Sequence, residues 1–154
     1  MRSIYFEGAV IPLMDALYQE KILSWARLGR AITPLSGAFI SATISNPICG
    51  DRVEVRLCLD ADKVITNVSA DVRGCALCEA GAGLFTSLAP GMTATALPAL
   101  ESGFTAWLGT DDNAQIEPDM QDFTPVRRIR NRQKCVLLAF KAGTAALSDP
   151  ATGN

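Results

Sequence analysis

The segment from Arg52 to Asp60 constrains this chain most, because its side chains alternate: Val53, Val55, Leu57 and Leu59 point one way, Glu54, Arg56 and Cys58 the other. A polypeptide repeats with period two only when extended, so the segment is a half-buried strand. Gly37 to Ser45 alternates too, with Ala38, Ile40, Ala42 and Ile44 opposite Phe39, Ser41, Thr43 and Ser45, and Val64 to Val72 is a β-branched run. The connections between them, Asn46-Pro47-Ile48-Cys49-Gly50-Asp51 and Asp60-Ala61-Asp62-Lys63, are turn-forming and far too short for a crossover helix. Three successive strands therefore pair antiparallel as a meander.

Helical patterns flank this sheet. Met14, Leu17, Tyr18, Ile22, Trp25 and Leu28 fall at steps of three and four, which predicts a greasy helix face from Leu13 to Leu28, with Gly29 placed to end it. Ala76 to Leu88 reads as a second helix, in which Gly81 and Gly83 suggest a close approach of another element. A third lies between Thr93 and Leu108, with Pro98 suited to its first turn. Gly109 to Asp122 is polar and irregular, and Gln133 to Leu147 is the last helix. A helix, three strands and then helices make an α+β fold: a single domain over residues 1–154, a three-stranded antiparallel sheet covered by helices, and ends about 1–8 and 148–154 expected to fray. A parallel doubly wound sheet does not fit this order.

The chain contains no histidine, which excludes a Ser-His-Asp triad, a Cys-His pair, an HExxH zinc site and any imidazole shuttle. Its net charge of −2 makes the molecule as a whole no partner for nucleic acid, and no apolar stretch approaches the roughly 20 residues of a membrane span. Five cysteines, an odd number at irregular spacing, fit a reducing cytoplasm better than a disulfide framework. Chemistry here must run on thiols and carboxylates.

Three thiols stand out. Cys49 sits in the turn between the first two strands, two residues from the Asp51 carboxylate. Cys75 follows Gly74 where the third strand meets a helix, and Cys135 precedes the apolar run of the last helix, so both are expected at helix N-termini, where the dipole favours a thiolate. A meander returns the loop before its second strand and the loop after its third to one sheet edge, bringing Cys49 and Cys75 together. Should the last helix start at that edge, Cys49, Asp51, Cys75 and Cys135 would offer three sulfurs and one oxygen, a set suited to tetrahedral zinc or to iron of an iron–sulfur cluster. Separations of 26 and 60 residues between these thiols are not a generic metal signature, and a free cysteine is often only a small buried hydrophobe.

Asn46-Pro47-Ile48-Cys49-Gly50-Asp51, Gly74-Cys75-Ala76-Leu77 and Lys134-Cys135-Val136-Leu137-Leu138-Ala139-Phe140, with Leu17-Tyr18 and Ile22-Leu23, resemble the NifU/IscU/SufU family of iron–sulfur cluster assembly proteins over about residues 14–147. The resemblance implies an α+β scaffold on which Cys49, Cys75 and Cys135 hold metal or a transient 2Fe-2S cluster and Asp51 tunes its release. It implies a cysteine desulfurase as sulfur donor, with cluster-receiving apo-proteins or other assembly proteins downstream, and it is compatible with a homodimer. Cys135 and Cys75 are the implied persulfide acceptors. The long Cys75–Cys135 interval and the Lys134-Cys135 pair resemble the SufU branch, for which zinc-dependent sulfur transfer to or from a desulfurase is the alternative to cluster building. Arg27-Leu28-Gly29-Arg30 departs from the Asn-Pro-Arg-Asn-like stretch of the family, and Cys78 stands where it usually has serine. A reading from another class is a non-enzymatic adaptor with a degenerate site, docking through the basic run Arg127 to Arg132.

Cys75-Ala76-Leu77-Cys78 matches CxxC and raises a disulfide oxidoreductase, although no thioredoxin-like flanks accompany it. Cys58 is expected on the less buried strand face, without a role. Arg127, Arg128, Arg130, Arg132 and Lys134 are either a solvated basic face or a counter-charge to the thiolates, and Lys134 is positioned to lower the pKa of Cys135. Trp25 and Trp107 belong to the core.

Overall fold

The structure, a computed structural model, describes residues 10–31, 33–48, 50–148 and 151–153. Strands β1 (Phe39–Asn46), β2 (Asp51–Leu59) and β3 (Ile65–Arg73) pair antiparallel, and a short β4 (Ala151–Gly153) adds to the free edge of β1, giving the order β3-β2-β1-β4. The meander follows the alternation read from sequence: Val53, Val55 and Leu57 are fully buried, while Arg52 and Arg56 are exposed. The expected fraying of 148–154 gives way where residues 151–153 pair with Phe39, Ile40 and Ser41; the expectation for 1–8 lies outside the described residues.

Both turns use side-chain oxygens as backbone mimics. Asp60 Oδ1 accepts from the amides of Asp62 and Val64 at 2.8 and 3.0 Å, which closes the β2–β3 hairpin around Lys63. At the β1–β2 turn Asn46 Oδ1 accepts from Ile48 N at 3.2 Å and Asn46 O accepts from Gly50 N at 2.8 Å. Gly50 has φ +76°, a conformation that strains a residue with a Cβ. Asn46 and Asp51 are direct partners in the ladder, so the turn closes at the very end of the sheet.

Four helices cover one face: α1 (Val10–Arg30), α2 (Ala76–Leu88), α3 (Ala96–Leu108) and α4 (Arg130–Ser148). Helix α4 lies on β1 and β2, α2 packs beside α4, and α1 packs on α2. Phe140 of α4 meets Phe85 edge-on at 5.3 Å and Phe104 at 5.2 Å, joining three helices in one aromatic cluster. Small residues set the helix spacing. A Cβ on Gly83 would lie 2.0 Å from Trp25 O, and one on Gly81 would lie 2.1 Å from Val136 O, so α2 touches α1 and α4 backbone to backbone.

Gly29 does not end the first helix. It lies inside α1 against the Glu79 carbonyl of α2, and the helix runs on to Arg30, whose guanidinium pairs with Glu79 at 2.9 Å. The buried side of α1 is thus Ala26 and Gly29 with Ile22 and Trp25 partly covered, while Leu17 and Leu28 stay exposed. Trp25 is only partly buried and donates from Nε1 to Asp122 Oδ2 at 2.9 Å, whereas Trp107 is a core residue. The stretch expected to be irregular ends in an ordered 3-10 segment, Pro118–Arg128, whose Met120, Phe123 and Val126 are buried. Cys58, expected on the less covered face, is 6% exposed: its Sγ lies 3.9 Å from Ser36 O, where the chain leading into β1 covers that face.

Candidate metal centre

Three elements deliver side chains to one end of the sheet. Asp51 opens β2, Cys75 is the N-cap of α2, and Cys135 lies in α4. A carboxylate oxygen of Asp51 and the Sγ atoms of Cys75 and Cys135 all lie within 4.8 Å of one another, and Cys75 Sγ is 3.7 Å from Asp51 Oδ2. Cys49, the fourth residue expected here, lies outside the described residues, although its neighbours Ile48 and Gly50 fix the turn beside Asp51.

Local backbone geometry explains the convergence. Gly74 leaves room for the acid: a Cβ there would meet Asp51 Oδ1 at 2.7 Å, so only a glycine fits under the carboxylate without displacing it. Cys75 has extended φ/ψ of −75° and 173° and makes no side-chain capping hydrogen bond, which frees its sulfur to face Asp51. Cys135 departs from expectation. Helix α4 starts at Arg130, five residues earlier, so Cys135 lies more than a turn inside it and its own amide is not one of the free N–H groups of the N-terminus.

Burial differs sharply across the site. Cys135 is fully buried and Asp51 is 4% exposed, while Cys75 is half-buried. Burial pushes the Cys135 thiol well above its usual range, and the neighbouring Asp51 carboxylate and the charge of Cys75 push further in the same direction. The expectation of a readily ionised Cys135 therefore fails for the bare protein: two acidic groups crowd a buried thiol, and a cation is what would relieve them. Lys134 is exposed. Arg132, one turn before Cys135, carries the nearby positive charge, and its guanidinium is held protonated more firmly by the charges of Cys75 and then of Cys135. The i, i+3 spacing of Arg132 and Cys135 was the sequence signal for this proximity.

The rest of the basic run divides. Arg127 turns inward, stacking on Trp107 at 4.6 Å and donating from Nε to Trp107 O at 2.7 Å, so it is a structural residue. Arg128 and Arg130 are exposed. Beside Cys75 an open apolar groove of about 540 Å³ is lined by Ile22, Leu23, Ala76, Leu77, Pro125 and Ile129.

Cys78 stands one turn beyond Cys75 and is 1% exposed. Burial, followed by the charges of Asp51, Cys75 and Glu79, raises its thiol to about 12. It is not among the clustered ligand atoms.

The donor set fits a metal. Two thiol sulfurs and a carboxylate oxygen in a buried pocket suit a borderline-soft ion of the zinc type, and ligand atoms around one tetrahedral centre are held roughly 3.3–3.8 Å apart, a range that includes the 3.7 Å between Cys75 Sγ and Asp51 Oδ2. Among the described residues no helix is long and apolar enough to cross a membrane.

The comparisons with known proteins agree with this fold. The model of the NifU-like N-terminal domain family matches residues 17–103. The chain is 25% identical over 144 residues to the zinc-dependent sulfurtransferase SufU of Bacillus subtilis, an alignment covering 92% of this chain and 96% of that protein. A crystal structure of the N-terminal part of a nitrogen-fixing NifU-like protein from Brucella abortus superimposes with a TM-score of 0.75 at 29% identity, over 88% of this chain and 94% of that one. A putative iron–sulfur cluster assembly scaffold protein of the SUF system from Fervidobacterium islandicum shares the fold, with a TM-score of 0.72 at 23% identity over 83% of this chain and 94% of that one.

Proposed function

Because the chain belongs to the NifU-like N-terminal domain family, we propose that it is a metal-dependent sulfur acceptor of iron–sulfur cluster assembly. Its site consists of Asp51, Cys75 and Cys135, completed by Cys49. The observation that carries this reading is the meeting of Asp51, Cys75 and Cys135 within 4.8 Å at the end of the sheet. Three residues so remote in sequence do not converge in a buried pocket for packing alone, since a carboxylate there costs several kcal/mol without a partner (about 2–7 for a neutral polar group, more for a charge).

A single zinc ion is the resident metal in this reading. The relative from Bacillus subtilis carries zinc dependence in its name. When bound, the ion supplies positive charge that keeps the thiols ionised at neutral pH.

The protein's own residues do the rest. Cys75 is half-buried and Cys135 fully buried, so Cys75 is the thiol that an incoming persulfide reaches, while Cys135 anchors the site from α4. Cys75 Sγ attacks the outer sulfur of a persulfide on a cysteine desulfurase; the donor's S–S bond breaks, its own cysteine leaves as thiolate, and Cys75 carries the sulfur. Arg132 is the nearby cation and balances the anionic sulfur. An apo-protein, or another assembly protein, receives it.

The test is desulfurase turnover with this protein as acceptor. Cysteine desulfuration accelerates when the zinc-loaded chain is added, and the acceleration is lost in Cys75→Ser and Asp51→Ala. Stimulation unchanged by both substitutions contradicts the reading and supports an adaptor that works by docking alone. Cluster absorbance on anaerobic reconstitution with iron and sulfide, in place of zinc retention, supports the scaffold reading instead.

A further inference from the structure

Cys75 and Cys78 occupy the N-cap and the third helical position of α2. Residues three apart on a helix sit with their Cβ atoms about 5–6 Å apart, and the extended φ/ψ of the N-cap leaves the first side chain free to swing over the first turn. A disulfide needs Cα atoms about 4.4–6.8 Å apart, which one helical turn provides, and Cβ atoms about 3.5–4.5 Å apart, which requires the extended N-cap to bring the Cys75 side chain in over the first turn, with no movement of one element against another. The two thiols also share surroundings: Cys78 belongs to the buried core, Cys75 packs against that core, and the charge of each neighbour, Asp51 and Cys75, is felt at Cys78. No step described above uses Cys78, and a thiol need not be buried beside a sulfur acceptor merely to fill space of that size, since serine or alanine would do so.

We infer that Cys78 is a resolving thiol, which discharges the sulfur carried on Cys75 as sulfide by forming a Cys75–Cys78 disulfide. The step rests on the proposed sulfur-acceptor function, because the persulfide supplies the oxidising equivalents. Cys78 Sγ attacks the Sγ of the Cys75 persulfide. The bond between the Cys75 sulfur and its outer sulfur breaks, and the electron pair goes to the outer sulfur. That sulfur takes the Cys78 proton and departs as hydrogen sulfide. Two electrons pass from the dithiol to the sulfane sulfur, and a dithiol reductant returns the pair to the reduced state.

Cys78 reaches only Cys75 in this scheme, so its 1% exposure to solvent is no obstacle. Burial instead keeps external persulfides away from it and directs loading to half-buried Cys75. Cys135, the other thiol near Cys75, belongs to α4, and a Cys75–Cys135 disulfide would link two elements and withdraw two ligands, whereas a Cys75–Cys78 disulfide withdraws Cys75 alone. The Cys78 route leaves Asp51 and Cys135 in place.

Inorganic polysulfide loads the zinc-bound protein without a desulfurase, and sulfide released in the absence of reductant is then assayed, with peptide mapping after alkylation. Wild type releases up to one sulfide per chain and yields a Cys75–Cys78 disulfide. Cys78→Ala, chosen because a smaller apolar side chain suits the buried site, keeps its persulfide and releases at least about tenfold less until dithiothreitol is added. Equal release from both proteins, or a disulfide mapped to Cys75–Cys135, overturns the inference while leaving the acceptor reading intact. Failure of either protein to acquire a persulfide, from polysulfide or from a desulfurase, overturns the acceptor reading and this one with it.

Discussion

Gly74→Ala separates metal binding from folding. The substituted Cβ would stand 2.7 Å from Asp51 Oδ1 and 2.8 Å from Asp51 Cγ, where ordinary contact begins at 3.4 Å, so the carboxylate must retreat by roughly 0.6–0.7 Å. Metal–ligand distances tolerate about 0.2 Å, and the acid loses its place among the donors. Disturbing the support of a ligand typically weakens metal affinity about 10–100-fold, which is about 1.4–2.7 kcal/mol. The fold should feel much less. Gly74 is not in the left-handed region, so alanine is conformationally admissible and contributes about 0.4–1 kcal/mol through the unfolded chain, against a local overpacking cost of about 1 kcal/mol. Zinc competition against a chromophoric chelator, with thermal melts of both proteins in EDTA, measures the two effects. Unchanged zinc affinity in a fully folded Gly74→Ala protein refutes the placement of Asp51 in the site, and so does a loss of more than about 3 kcal/mol of stability without metal.

Gly83→Ala places a methyl 2.0 Å from Trp25 O and forces α1 and α2 apart, so Tm falls by about 2–12 °C for a cost of about 1–3 kcal/mol in a domain of this size; an unchanged melt contradicts the backbone contact. Cys78 is 1% exposed, so iodoacetamide leaves it unmodified in native protein and labels it only after denaturation, as mass spectrometry would show. Rapid native labelling contradicts its burial. Arg127→Ala removes the stack on Trp107 and the bond to its carbonyl, costing about 1–2 kcal/mol in denaturant melts with zinc affinity unchanged. Arg132→Ala keeps stability within about 0.5 kcal/mol, as suits an exposed side chain, and slows sulfur loading of Cys75; equal loading rates would remove Arg132 from the site.

The strands were legible because their alternation survives folding: Val53, Val55 and Leu57 face the helices as the pattern requires. Helix α2 was legible for the same reason, its ends marked by Gly74-Cys75 and Pro90-Gly91. Gly29 misled because a glycine after an apolar run is a stop signal only when its backbone is free to turn; here the missing Cβ admits α2 instead. The start of α4 was hidden by Arg130-Asn131-Arg132, three polar residues without hydrophobic periodicity that are nonetheless helical. That shift moved Cys135 into the helix interior and made Arg132, one turn earlier, a cation near the thiols. Cys58 was misplaced because the cover on its face comes from Ser36, a residue outside any strand, which a two-residue period cannot reveal. The β4 pairing, between residues 151–153 and Phe39 to Ser41 of β1, depends on tertiary proximity alone.

X-ray absorption at the zinc edge of the loaded protein tests the metal centre most directly. Asp51, Cys75 and Cys135, completed by Cys49, predict three sulfurs at about 2.3 Å and one oxygen at about 2.0–2.2 Å, with one sulfur lost in Cys135→Ser. Four sulfurs, or a shell with no sulfur at all, contradict the site.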